Sequence, residues 1–167
     1  MMIKKIARLR VPLGFLFAAV ALWLARPTAQ SLAIGGAVAV LGELVRIWAA
    51  GHIEKGREVT RSGPYRLVRH PLYLGSAVIG VGFMLAARSL VVAALVSAYL
   101  VMTLLAAIRT EEATLDARFG GEYAAYREGR ADPVTRPFSV ARVVANKEYR
   151  AVVGLAIGLA VLYWRTR

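Results

Sequence analysis

Nineteen consecutive uncharged residues, Leu90–Ile108, nearly all of them apolar, set the first limit on what this chain can fold into. As a helix such a run reaches about 28 Å, close to the ~30 Å hydrocarbon core of a bilayer. In water it would need burial all round, and the chain has little left to bury it with. Val11–Ala25 and Leu72–Ala87 are also uncharged, and Ser31–Ala50 carries only Glu43 and Arg46. A last run, Ala151–Trp164, has fourteen residues and is short for a span. With 167 residues, 58% of them hydrophobic, one domain is expected. The runs predict an all-α integral membrane protein of four or five transmembrane helices. The third and fourth form a hairpin, because Arg88-Ser89 is the only polar break between them.

The formal net charge of +12 would point to nucleic acid in a soluble protein. Its distribution points to membrane topology instead. Lys4, Lys5, Arg8 and Arg10 precede the first apolar run, and Arg26 alone separates it from the second. Lys55, Arg57, Arg61, Arg66 and Arg69 fill the second loop, Arg88 alone the third, and the segment from Arg109 to Arg150 is basic again. That alternation is the positive-inside pattern, with the N-terminus, second loop and post-helix-four segment cytoplasmic. No nucleic-acid partner is expected. Without cysteine there is no disulfide, thiolate nucleophile or Cys-based metal site, and two histidines do not build a His-rich one, so no metal is expected. The basic, apolar N-terminus has the outline of a signal peptide, but Arg-Pro-Thr-Ala-Gln lacks a small-x-small site, so the segment reads as a retained span.

Two polar segments remain, Gly51–Pro71 and Arg109–Arg150. The hairpin returns the chain to the face it left, so connectivity brings His70, Pro71 and Tyr73 near Arg109, Glu111 and Glu112. Pro71 holds His70 extended and suits a helix start, and Gly63-Pro64 makes a tight turn upstream. Leu115, Phe119, Tyr123 and Tyr126 form a helical stripe broken at Gly120-Gly121, read as packing against the membrane domain. Gly129–Pro137 reads as a loop. Glu43 and Arg46 share a helix face at membrane depth, where charge is costly. A buried ion pair and a place for Arg46 in a substrate pocket are equally good readings. His52 reads as an interfacial loop histidine, and Trp48, Tyr163 and Trp164 as interface anchors.

SGPYRLVRHPLYLG, followed after two apolar helices by RTEEATLDARFGGEYAAYR, resembles the isoprenylcysteine carboxyl methyltransferase family, whose broader relatives include phospholipid N-methyltransferases. The resemblance covers about Gly51 to Pro137, and its specific part is RHPxY, then EE, then FGxxYxxY, in that order. It implies S-adenosylmethionine bound at the cytoplasmic membrane surface. Carried over by position, the cofactor contacts are Thr60 (from the stretch Arg57–Thr60), Tyr65, His70, Pro71, Leu72, Tyr73 and Glu111. Arg109 and Glu112 are the candidate catalytic residues, and Arg46 and Arg109 the candidate substrate residues.

The resemblance also implies a lipid-like amphiphile reaching the site from the bilayer of a bacterial inner membrane. A carboxylate acceptor is already ionised at neutral pH and needs no base, whereas an amine would call on His70 or Glu112. The absence of an obvious dedicated base in the sequence favours a carboxylate or thiol-like acceptor, and the resemblance points to carboxyl O-methylation of the isoprenylcysteine type. Three alternatives stay open: a phospholipid N-methyltransferase, a nicotinamide-dependent reductase of the sterol-reductase type, and a non-enzymatic scaffold that would tolerate loss of His70 or Glu111. The segment Phe138–Arg167 is extra relative to the resemblance. It is expected to cover a route from the lipid, to pair with another subunit, or to anchor.

Overall fold

The computed structural model describes residues 14–167. The basic cluster from Lys4 to Arg10 and the start of the first apolar run lie outside the described residues. Among the described residues there are helices and no strands. In chain order they are α1 (described over Gly14–Leu24), α2 (Ala29–Ala50), α3 (Pro71–Ala87), α4 (Leu90–Phe119), α5 (Gly121–Arg127), α6 (Val140–Ala145) and α7 (Tyr149–Trp164), with a 3-10 turn at Gly63–Arg66. α2 and α4 are long and apolar enough to cross a membrane, and α1, α3 and α7 are shorter apolar helices.

Local chemistry sets the boundaries. At the start of α2 the Thr28 hydroxyl accepts from Ser31 N at 3.2 Å and the Ser31 hydroxyl accepts from Thr28 N at 2.9 Å, a reciprocal cap. Pro71 opens α3, where its missing N–H costs nothing. The hairpin turns at Arg88, which takes the left-handed conformation (φ 48°), and Ser89 then caps α4. α4 runs 30 residues, about 45 Å, so it is longer than a bilayer core is thick. Gly120, at φ 47°, ends it and starts α5 in a new direction.

The centre of the fold is a seam of small residues between α2 and α3. Gly35 and Gly42 on α2 face Gly82 and Gly75 on α3. A Cβ on Gly35 would lie 2.4 Å from the Gly82 carbonyl oxygen, and one on Gly75 would lie 2.6 Å from that of Gly42. The backbones touch, and Ala39 between them is fully buried. Close backbone approach through small residues is how helices associate where apolar burial gives no net drive. A second cluster, Ala25, Ala86, Ala87, Val92 and Leu162, closes the opposite end of the bundle.

Beyond residue 137 the chain folds back onto the C-terminal end of α2. The Phe138 ring covers Gly51, where a Cβ would meet it at 2.2 Å. Arg142 Nε donates to Gly51 O at 2.7 Å, and Asn146 Nδ2 donates to Ala50 O and Ile53 O at 3.0 and 3.2 Å. The Ala50 and Gly51 carbonyls are ones that a helix end leaves without partners, here satisfied by a second helix.

His52, in the loop just after α2, is buried under this strap. Its ring lies over Gly63, where a Cβ would meet it at 2.2 Å, so that turn (φ 57°) needs glycine on both counts. Burial first, then Arg142 and Arg136, hold its pKa below the ordinary 6.5. In the window between that lowered value and 6.5, the unfolded chain binds a proton that the folded one refuses. Stability is therefore full above 6.5 and falls as the pH drops below it. Thermal unfolding across pH 5 to 8 should show this slope in the wild type and a shallower one in His52→Phe.

Candidate functional site

The loop after α2, the Tyr65–Tyr73 turn, one face of α4, and α5 enclose a cavity of about 800 Å³. Its α4 wall is one helical face, Tyr99, Met102, Thr103, Ala106, Ala107, Thr110, Glu111, Thr114, Leu115 and Arg118. The threonines there are satisfied along the helix: Thr103 donates to Tyr99 O at 2.7 Å, and Thr110 to Ala106 O at 2.8 Å. The cavity thus has an apolar limb, reaching to Phe17 and Tyr99, whose rings meet at 5.3 Å, and a polar end.

The polar end is built on the Tyr65–Tyr73 turn. Tyr126 from α5 donates its hydroxyl to Tyr65 O at 2.7 Å and fixes the turn. Burial pushes the Tyr126 phenol up to about 12, so it keeps the proton it donates. Tyr65 is buried with no partner for its hydroxyl, and that burial, with the Glu111 carboxylate beside it, drives its pKa upward. His70 and Tyr73 stand with their rings 5.7 Å apart. His70 Nε2 lies 3.1 Å from Glu112 Oε1, and Arg69 reaches the same oxygen at 3.4 Å. Glu111 lines the cavity and makes no ion pair or hydrogen bond among the described residues. Gly56 approaches Arg118, so the loop and α4 come together there.

Of the residues singled out from sequence, Thr60, Tyr65, His70, Leu72, Tyr73, Glu111 and Arg46 line this cavity. Pro71 is buried behind it as the first residue of α3, and Glu112 stands behind His70. Arg109 is placed elsewhere, on an open groove along another face of α4 with Ala113 and Ala117. The guanidiniums at the cavity are those of Arg46, Arg69 and Arg118. Leu115, Phe119, Tyr123 and Tyr126 also line it, so the stripe read as packing is cavity wall.

Arg46 belongs to an ion-pair cluster and also borders the cavity. Its Nε lies 2.6 Å from Glu148 Oε1 and 3.7 Å from Glu43 Oε2, and it also faces the cavity. Glu148 lines the cavity too and was not foreseen. Its one sequence signal is that it is the sole acid in the segment after residue 137, placed at the mouth of an apolar run. Arg136, just before that segment, and Arg142 within it brace the cavity loop, Arg136 at 2.6 Å from Glu58 and Arg142 at 3.7 Å from Glu54.

A family model described as phospholipid methyltransferase matches residues 9–122, two thirds of the chain. The chain belongs to the phospholipid methyltransferase family. Membership implies a membrane methyltransferase, in keeping with the two helices able to cross a bilayer. No curated protein and no solved structure matches. In this phospholipid methyltransferase family member the matched region carries the α2–α3 seam, the Tyr65–Tyr73 turn and the whole of α4. Tyr126, Arg136, Arg142 and Glu148 lie beyond it.

Proposed function

We propose that the protein transfers a methyl group from S-adenosylmethionine to a lipid-like amphiphile, with α1, α3 and α7 joining α2 and α4 as spans and the cavity at the cytoplasmic surface. One observation carries the reading: a single cavity joins an aromatic, carboxylate-bearing polar end to an apolar limb along α4. Its volume of about 800 Å³ lies in the range of small-molecule sites and leaves space for two reactants.

The donor set fits the cofactor. Tyr65, Tyr73 and Tyr126 supply aromatic faces and a buried hydroxyl in search of a partner, and Glu111 is a carboxylate free to take ribose hydroxyls. The aromatic faces and carboxylates of the polar end also suit a nearby positive charge. When bound, S-adenosylmethionine supplies an electrophilic methyl group on a sulfonium. The chain's own task is alignment of the acceptor and exclusion of water.

Glu112 adds a further capacity. It holds His70 through Nε2, which leaves Nδ1 as the ring's acceptor. A carboxylate acceptor of the isoprenylcysteine type has no use for such a base. A protonated amine headgroup does, because its nitrogen must lose a proton before it attacks. The His70–Glu112 pair therefore favours an amine headgroup, the N-methylation reading, over carboxyl O-methylation.

The founding test is ligand stabilisation of the purified, detergent-solubilised protein. S-adenosylhomocysteine at a hundredfold excess over Kd should add ~2.7 kcal/mol and raise the unfolding temperature. Glu111→Gln should weaken binding roughly tenfold and shrink that shift. A shift with reduced nicotinamide cofactor and none with S-adenosylhomocysteine would move the protein to the reductases. Binding that survives both Glu111→Gln and His70→Ala would remove the site from this cavity.

A further inference from the structure

The proposed function leaves one pair of cavity residues without a task. Arg46 comes from the middle of the matched region, and Glu148 from the segment beyond it. Their contact at 2.6 Å lies in a largely buried cluster, with Glu148 5% exposed. Arg46 is held from two more sides: Nη1 donates to Ser76 Oγ and, at 3.4 Å, to Leu72 O. That carbonyl belongs to the turn that carries His70 and Tyr73. Nη2 of Arg46 and Oε2 of Glu148 make no hydrogen bond, although both residues line the cavity.

The wall therefore offers a fixed guanidinium donor beside a carboxylate acceptor. Charge points the same way. Glu43, whose two carboxylate oxygens are buried without a hydrogen-bond partner, stands 3.7 Å from Arg46 on the other side. Glu43 thus sets a second acidic side chain beside the guanidinium that Glu148 contacts.

We propose that Arg46 and Glu148 form a subsite for an α-amino-acid zwitterion, and that its occupant is the amino-acid end of the methyl donor. Arg46 Nη2 takes the ligand carboxylate and Glu148 Oε2 the ligand ammonium. The two ligand charges of an α-amino acid sit on one carbon, matching a donor and an acceptor already in contact. A phosphoethanolamine headgroup carries the same two signs farther apart and fits the pair less well. The assignment rests on the methyl-donor reading and adds to it a site residue supplied by the segment outside the family match.

Calorimetry on the full-length protein with two nucleosides separates the possibilities. S-adenosylhomocysteine and 5′-methylthioadenosine share the adenosine and the sulfur, but only the first has the amino-acid end. In the wild type the first should bind roughly 10- to 100-fold more tightly, the difference expected of charge-assisted hydrogen bonds. In Glu148→Gln that preference should collapse while methylthioadenosine binding stays within about twofold.

Equal losses for both nucleosides, or no loss for either, would overturn the proposal and leave the methyl-donor reading standing. So would a loss confined to lysophosphatidylethanolamine. If the wild type binds neither nucleoside, the methyl-donor reading fails and takes this one with it. Should Glu148→Gln not fold, S-adenosylhomocysteine stripped of its carboxyl group tests the wild type directly. It should bind at least tenfold more weakly than the parent, and equal binding would refute the assignment.

Discussion

Gly82→Ala is expected to cost ~3 kcal/mol or more, enough to drop the unfolding temperature sharply and abolish S-adenosylhomocysteine binding. The added methyl would sit 2.5 Å from Ala39 N and 2.6 Å from Gly35 O. Those neighbours are backbone, so no rotamer change relieves the contact and the two helices must part. Parting them displaces Arg46 and the Tyr65–Tyr73 turn, which α2 and α3 carry. Gly154→Ala is the control. Gly154 lies within α7 with open space where its Cβ would go, and there the same change should be neutral or stabilise by up to ~1 kcal/mol. Equal unfolding temperatures for the two variants would show that the seam is not what holds the bundle.

Glu112→Gln is expected to lower kcat by about 10²-fold for an amine acceptor, with little change in S-adenosylhomocysteine affinity. Glutamine keeps the shape and a hydrogen bond to His70 but loses the charge that orients the ring. His70→Ala should cost at least as much and also weaken cofactor binding, because that ring stands beside Tyr73 in the cavity wall. For a carboxylate acceptor, Glu112→Gln should leave turnover within a few-fold. The measurement is methyl transfer from labelled donor to phosphatidylethanolamine and, separately, to an isoprenylated cysteine analogue. A large loss on the second substrate would sink the general-base role.

The helical character and the meeting of the two polar segments were legible in sequence, because uncharged runs and one short hairpin leave few alternatives. The faces were less so. Arg109 and Glu111 are two residues apart, and at 100° per residue they point about 200° apart, so a continuous α4 cannot aim both at one cavity. Glu112 is turned by a further residue and meets His70 from behind. The seam glycines, at 35 and 42 and at 75 and 82, share a spacing of seven. That spacing was visible, but which helices face each other was not. Glu148 was hidden for a different reason: its partner Arg46 is 102 positions away, and only the fold-back after residue 137 joins them.

That fold-back also imposes an order in time. A chain made from its N-terminus has α2, α3 and α4 in place before the strap exists, with the Ala50 and Gly51 carbonyls still open and Arg46 held by Glu43, Ser76 and Leu72 but not yet by Glu148. The cavity acquires its last wall only when residues 138–148 clear the ribosome and swing back. Until then, the nascent protein is a membrane bundle with an unfinished pocket, so its competence to bind waits on a stretch of chain made well after α4.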